Sequence, residues 1–219
     1  MASSAWNQAP YEAMLVAYPP AVTSAFRGAV MALSVHLLDA EMNSWAKEVL
    51  NLAACSFRSW EAALECFRAT PKVLDVIHHR HITSWVGGGR YIAETSASLA
   101  AAYFRNSPQA LNHLAPNEAV VWAKLIRELY QGTWESGVLV GKVADSSPQL
   151  LQLLGIADAS SLAFTISSIA RHSQEAALRC LNLTLAALEE LDRPDREAFV
   201  SLASVLARTR WWEMADYCG

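Results

Sequence analysis

The segment His78-His79-Arg80-His81 carries three of the chain's six histidines within four residues. Neutral imidazoles are frequent metal ligands, so this density suggests a metal site. Adjacent histidines point in different directions on a helix, however, and only His78 and His81 can share a face. No carboxylate or cysteine lies within that turn to complete a set of ligands. We therefore predict a polar corner between helices, while a distant ligand keeps the metal alternative open.

The triplet Gly87-Gly88-Gly89 suggests a phosphate-binding loop. It lacks the spacing of GxGxxG or GxxxxGK[ST], and no strand is expected before it, so nucleotide binding is disfavoured. When the repeats described below are aligned, the triplet falls well inside a helix, where each glycine costs about 1 kcal/mol relative to alanine. We predict that a neighbouring helix approaches closely at this point.

The segment Asp158-Ala159-Ser160-Ser161 looks like a metal-ion-dependent adhesion motif. That motif needs a serine two places beyond Ser160, where this chain has Leu162, so we predict a helix N-cap region instead. No Ser/His/Asp, Cys/His or paired-carboxylate set stands out elsewhere in the sequence. The sequence therefore predicts neither an enzyme nor a cofactor.

Two arginines hold matching places in the sequence. Arg68 and Arg105 each follow a phenylalanine and stand three residues before a proline. They would either cap carbonyls at the ends of their own helices or form a ridge, about 10 Å apart, beside the histidines. Such a ridge would suit an acidic segment of a partner. The candidate partner-binding residues are Arg68, Arg105, His78, His79, Arg80 and His81.

These arginines belong to a segment that occurs twice. Cys66-Phe67-Arg68-Ala69-Thr70-Pro71 and Tyr103-Phe104-Arg105-Asn106-Ser107-Pro108 share their pattern, and their prolines lie 37 residues apart. Trp85 and Trp122 have the same spacing. Such periods are typical of stacked helical repeats. We predict that a short third helix begins at Thr70-Pro71, at Ser107-Pro108 and at Ser147-Pro148.

The repeat sets the expected organisation of the chain. We predict an N-terminal helical cap over 1–42, with a helix from Thr23 to about Leu38, then repeats and C-terminal capping helices over 192–219. In the fourth repeat, which lacks the Ser-Pro pair, the last helix should continue to Leu191. The repeats are 43–79, 80–116, 117–156 and 157–191. The residues expected to be buried at equivalent places are Ala53, Ala93 and Ala170, with Ile92 and Ile169 beside them, and Phe67 with Phe104.

Composition narrows the class of protein. Of 219 residues, 53% are apolar and 17% charged, which favours a folded, helical chain. The net charge of −4 argues against nucleic acid as a partner. We expect no secretory signal and no membrane span, because neither a basic N-terminal region nor a run of about 18 uncharged apolar residues occurs. Cys55, Cys66, Cys180 and Cys218 lack metal-site spacing, which favours reduced thiols and a cytoplasmic location.

The repeat also resembles a known family. Over about residues 45–154, the repeat has a fixed order of residue types: tryptophan, glycine, Ile/Leu-Ala, serine, Ala-Ala, aromatic-Phe-Arg and Ser/Thr-Pro. This order is similar to that of the helical repeats ahead of von Willebrand A domains in accessory proteins of the nitric oxide reductase activation type. The resemblance implies work with a MoxR-class AAA+ ATPase, or with a von Willebrand A domain protein, in activating or remodelling an enzyme. This chain contains no von Willebrand A domain, so none of that domain's metal-site residues carry over.

The sequence therefore predicts an all-α fold, a right-handed α-solenoid of HEAT- or armadillo-like repeats of about 37–40 residues. The expected function is that of a non-catalytic scaffold or adaptor for protein–protein interaction, in an ATPase-linked activation or assembly complex. The alternative is a small-molecule- or metal-binding helical protein that uses the histidines around His78. The sequence leaves a homo-oligomer open.

Overall fold

The chain is all-helical in the part that the structure, a computed structural model, describes: residues 6–132 and 137–209. Eleven α-helices and one 3₁₀ turn account for most of these residues, and no strand occurs among them. The all-α prediction is confirmed. The helices are α1 (Ala9–Leu15), α2 (Pro20–Leu33), α3 (Asp39–Ala54), α4 (Trp60–Leu74), α5 (Ile82–Ala93), α6 (Ala97–Leu111), α7 (Pro116–Gly132), α8 (Gly137–Asp145), α9 (Ser147–Ala170), α10 (Gln174–Glu190) and α11 (Arg193–Thr209), and the 3₁₀ turn His79–His81 precedes α5.

The predicted bounds of the N-terminal helix are wrong at both ends. Helix α2 begins at Pro20, ahead of Thr23, because a proline fits the first turn of a helix, where its missing N–H is not needed. It ends at Leu33 rather than near Leu38. The Leu38 backbone N–H donates to Glu41 Oε2 at 2.9 Å, and this bond helps to start α3 directly afterwards.

The helices pack in two series, each helix against the one two places along the chain. Helices α2, α4, α6 and α8 contact one another in that order, and so do α3, α5, α7 and α9. Aromatic rings fill the core between the series, where Phe26 stacks on Trp45 at 5.8 Å between ring centroids and Trp85 meets Phe104 edge-on at 4.9 Å. The residues predicted to be buried are buried, except Ala170, which is only partly covered.

The predicted helix starts at Pro71 and Pro108 are wrong, because α4 and α6 continue through both prolines. Each proline deprives the helix of one backbone hydrogen bond. The hydroxyl just before it supplies another: Thr70 Oγ1 donates to the Cys66 carbonyl at 2.8 Å and Ser107 Oγ to the Tyr103 carbonyl at 2.7 Å. The third helix expected in each of the first two predicted repeats is therefore the last part of α4 and of α6.

The predicted helix start at Ser147-Pro148 is confirmed. Helix α8 ends at Asp145, and α9 begins at Ser147 with Pro148 in its first turn. Gly155, at φ 70° and ψ 177°, interrupts α9, so 147–154 is a separate short helix and 156–170 follows it as a second one. Glycine tolerates this backbone region, which other residues rarely adopt. The expected continuation of α10 is also confirmed, because it runs to Glu190.

Helix α9 is long and apolar enough to pass as a membrane-spanning candidate, the one such helix in the described part of the chain. This finding does not test the expectation of no membrane span, which stays a prediction. Gly155 divides the helix into two pieces, each shorter than the roughly 20 residues that cross a bilayer. Its apolar side chains include Leu150, Leu162 and Ile166, which are buried in the core.

The tryptophans and the Ser-Pro pairs form one interaction. The buried Trp85 Nε1 donates to Ser107 Oγ at 2.9 Å, and Trp122 Nε1 donates to Ser147 Oγ at 3.2 Å. Each serine hydroxyl thus accepts from a tryptophan and donates to a carbonyl one turn earlier. Trp45 and Thr70 occupy the corresponding places in the first repeat. Trp45 Nε1 nevertheless has no hydrogen-bond partner among the described residues.

Gly89 confirms the predicted close approach of helices. A Cβ atom added there would lie 1.9 Å from Phe104 Cζ of α6, far inside van der Waals contact. At Gly88 the nearest atom would be the Tyr103 hydroxyl at 3.1 Å. All three glycines of the triplet are buried inside α5. The triplet is therefore a packing feature, and Gly89 is the position that requires glycine.

We expect Gly89→Ala to lower the free energy of unfolding by about 1–3 kcal/mol, because Phe104 must move to admit the methyl group. The matched control is Gly28→Ala in α2, where nothing lies within 4 Å of the added Cβ and helix propensity should raise stability by up to about 1 kcal/mol. Urea unfolding of both variants measures the difference. Equal effects at the two glycines would contradict the close approach.

We expect Ser107→Ala to cost about 1–3 kcal/mol, because it leaves the buried Trp85 Nε1 without an acceptor. Thr70→Val is the control: Trp45 Nε1 already lacks a partner, so only the bond to the Cys66 carbonyl is lost and the cost should be smaller. Denaturant unfolding compares the two. If Thr70→Val destabilised the protein as much, the Trp85–Ser107 bond would not be the cause.

Candidate functional site

Arg68 and Arg105 lie on neighbouring helices and share one carboxylate. Arg68 Nη1 lies 2.8 Å from Glu65 Oε1, and Arg105 Nε lies 3.5 Å from Glu65 Oε2. The two arginine side chains are 57% and 63% exposed, against 17% for Glu65. Two guanidinium groups with one carboxylate carry a surplus positive charge. We call Glu65, Arg68 and Arg105 the arginine pair.

The alternative that each arginine caps the end of its own helix is wrong. Helix α4 continues to Leu74 and α6 to Leu111, so neither arginine stands at a helix end. The described polar contacts of both arginines are with Glu65. Sequence reasoning missed Glu65, although its place three residues before Arg68 is the spacing of an ion pair on one helix face.

The histidines form a polar turn between α4 and α5, as predicted. We call residues 78–81 the histidine corner. His78 Nδ1 accepts a hydrogen bond from the Arg80 backbone N–H at 3.3 Å, and Arg80 Nε donates to His81 Nε2 at 2.9 Å. Both accepting nitrogens must be unprotonated. The corner as it stands is therefore built on neutral imidazoles.

Loss of hydration and neighbouring positive charges both favour the neutral form of His78 and His81. Loss of hydration, together with the charges of His79 and Arg80, lowers the pKa of His78, while Glu41 acts in the opposite direction. Loss of hydration also lowers the pKa of His81, and Arg80, Lys124 and His78 lower it further. No three His, Cys, Asp or Glu residues converge as a metal site within the described part of the chain. The metal alternative therefore lacks a ligand set there.

The arginine pair and the histidine corner have different surroundings. The arginine pair lies on α4 and α6. The histidine corner faces Glu41 of α3 and Lys124 of α7, and a cavity of about 200 Å³ lies between its His79 and Arg80 and the start of α3. The candidate residues therefore lie in two groups with different polar neighbours, and the expected ridge of arginines beside the histidines stays a prediction.

An exposed aromatic side chain was missed by the sequence reasoning. Phe57, in the loop between α3 and α4, is 91% exposed. Ser56 Oγ donates to the Ala93 carbonyl at 2.7 Å and Ser59 Oγ to the Ala53 carbonyl at 2.8 Å, so the loop is held at both sides of Phe57. Arg58, which follows, has a left-handed backbone with φ 63°. The loop thus holds a phenylalanine in a fixed place at the surface.

The cysteines serve packing rather than chemistry in the described structure. Cys66 and Cys180 are buried, and Cys55 is half-buried. Burial raises the pKa of the Cys66 thiol well above its ordinary value, which keeps it protonated and unreactive. Cys218 lies outside the described residues, as does the end of the predicted C-terminal cap beyond Thr209.

No family model matches the chain, and the searches found no similar curated protein or solved structure. The resemblance to the repeats of nitric oxide reductase activation-type proteins therefore stays a prediction.

We expect native stability to fall as the pH is lowered from 7.5 to 5.5. The folded-state pKa values of His78 and His81 lie below the ordinary value of about 6.5, so the unfolded chain binds more protons in this range. In the His78→Gln/His81→Gln variant the melting temperature should fall less over the same range. The control is His113→Gln, an exposed histidine after α6. An equal fall in the double variant would show that other groups are responsible.

Proposed function

We propose that the chain is a right-handed α-solenoid of HEAT- or armadillo-like repeats. The supporting observation is a set of polar contacts between residues about one period apart, because stacked repeats bring equivalent helices side by side. These contacts join residues 37 to 42 positions apart. They are Ser56 with Ala93, Arg90 with Glu48, Arg105 with Glu65, Asn106 with Asp145, and Gln149 with Glu189.

The proposed function is that of a non-catalytic scaffold or adaptor that binds a partner protein. The observation that carries it is the arginine pair, an exposed site with surplus positive charge on a chain whose net charge is −4. Arginine suits recognition of carboxylates, because its planar fork can bind both oxygens. An acidic segment is therefore the partner chemistry that this site favours.

Phe57 supplies a second contact type for the same function. Aromatic and arginine side chains are enriched among the residues that dominate binding energy at interfaces. A side chain on a backbone that is already held in place leaves less conformational freedom to be lost on binding than one on a mobile loop. We propose that Phe57 is a second contact of the scaffold with its partner.

The proposed setting is an enzyme activation or assembly complex in the cytoplasm, with a MoxR-type AAA+ ATPase or a von Willebrand A domain protein as partner. It rests on the resemblance of the repeat pattern over about residues 45–154. Affinity purification from the native cell, followed by mass spectrometry, identifies the partner and so tests the setting. Recovery of neither protein class would count against it.

We expect Arg68→Glu/Arg105→Glu to abolish partner recovery in that purification, because the site then repels an acidic segment. Glu65→Gln should increase recovery, because it removes the carboxylate that both arginines share. Exposed ion pairs contribute at most about 1 kcal/mol, so both variants should stay folded. Circular dichroism and thermal unfolding check this point.

The matched control is Arg27→Glu/Arg193→Glu, which makes the same change of charge at two exposed arginines elsewhere on the chain. Recovery should be unchanged in this control, apart from weak long-range effects that added salt screens. If the Arg68→Glu/Arg105→Glu variant retained its partner and only melted at a lower temperature, the arginine pair would have a structural role alone.

A further inference from the structure

The histidine corner concentrates basic groups around a single carboxylate. His78, His79, Arg80 and His81 lie in the turn, and Lys124 of α7 is close enough to act on the charge of His81. Glu41 of α3 faces them with its negative charge. Its Oε2 already accepts a hydrogen bond from the Leu38 backbone N–H. Protonation of the imidazoles therefore gives the corner a large surplus of positive charge.

At neutral pH the corner is closed by its own hydrogen bonds. Arg80 donates through Nε to His81 and through its backbone N–H to His78. A proton on His81 Nε2 removes the lone pair that holds the Arg80 guanidinium, and a proton on His78 Nδ1 removes the one that accepts from the Arg80 backbone N–H. Acidification therefore releases the Arg80 guanidinium and creates new cationic donors beside it at the same time.

We propose that the histidine corner, with Lys124, is a binding site for a tetrahedral oxyanion, such as sulfate or a phosphate group, that forms as the pH falls. The neighbouring cavity, with a volume of about 200 Å³, has room for such an ion and is lined by Arg80, His79, Ser44 and Thr83, and also by Glu41, whose negative charge opposes an anion until the imidazoles are protonated. His79 lines the cavity, although its Nδ1 is buried away from solvent and has no described hydrogen-bond partner. An arginine fork matches the geometry of such oxygens.

A metal ion fits this corner less well than an anion does. Arg80 and Lys124 repel a cation, and no three metal-ligating side chains converge in the described part of the chain. The positive charges of Arg80 and Lys124 instead favour an anion, whose negative charge also stabilises the protonated imidazoles. By linkage, a bound anion raises the pKa of His78 and His81, and binding strengthens as the pH falls through those values.

Sulfate is the probe of choice, because it stays doubly charged between pH 5.5 and 7.5 and any pH dependence then comes from the protein. The full chain is titrated with sodium sulfate at constant ionic strength, with sodium chloride as reference, while the imidazole NMR signals are followed. We expect saturable shifts of the His78, His79 and His81 signals at pH 5.5. Affinity should be weaker at pH 7.5, by up to about tenfold for each imidazole whose pKa the bound ion raises by about one unit.

Variants separate the site from general charge effects. His78→Gln/His81→Gln should remove most of the pH dependence, because glutamine accepts from Arg80 but takes up no proton. Arg80→Gln should abolish saturable binding at pH 5.5. His113→Gln, in the loop after α6, should behave as wild type. The Arg68→Glu/Arg105→Glu variant should also bind sulfate normally, so failure of the adaptor proposal and failure of this site are distinguishable.

The proposal is overturned if sulfate shifts the corner signals no more than those of His36 and His113, or if the double glutamine variant keeps the full pH dependence. A second titration identifies the source of the oxyanion. Tighter binding of a neutral phosphoserine peptide than of inorganic phosphate, with no binding of the unphosphorylated peptide, assigns the site to a phosphorylated segment. Equal affinities assign it to the free ion.

Discussion

The interaction on which the packing of these helices depends is made by the buried hydroxyl groups that precede Pro108 and Pro148. In the second repeat, Ser107 accepts from Trp85 of α5 and donates to the Tyr103 carbonyl of its own helix. One side chain thus joins two helices and adds a hydrogen bond just before Pro108, which removes one. The same arrangement at Trp122 and Ser147 joins α7 to α9. Leaving a tryptophan N–H unpaired in such a core costs about 1–3 kcal/mol, so tryptophan and hydroxyl occur together.

The first repeat replaces this hydrogen bond with aromatic packing. Trp45 lies between Phe26 and Phe67, at 5.8 and 5.9 Å between ring centroids, and its Nε1 has no described partner. Aromatic contacts of this kind contribute about 0.5–1.5 kcal/mol each beyond the area that they bury, which offsets the unpaired N–H. Phe26 comes from α2, outside the repeats. Helix α2 therefore contributes to the core around Trp45 and Phe67, which is the role that the predicted N-terminal cap would have.

The sequence predicted the helical class, the position of the glycine triplet within a helix and nearly all of the core positions, because these follow from local periodicity and from the 37-residue spacing. It failed at Pro71, where the side chain of Thr70 supports a continuous helix against the usual effect of proline. It also missed the pairing of Arg105 with Glu65, since contacts between helices depend on how repeats stack. Local patterns carry no information on the loop that exposes Phe57, which depends on the hydrogen bond from Ser56 to Ala93.

The two cationic groups differ in what controls their charge. Arginine stays protonated at every physiological pH, so the charge of the arginine pair is constant and is reduced only by Glu65 and by salt. The histidine corner gains charge only when protons displace the hydrogen bonds to Arg80. Under the two proposals, an acidic partner held by the arginine pair would therefore bind over a wide pH range, whereas an anion at the corner would bind more tightly as the pH falls. The proposed surfaces thus differ in that the charge of one is permanent and that of the other depends on pH, on a chain with a net charge of −4.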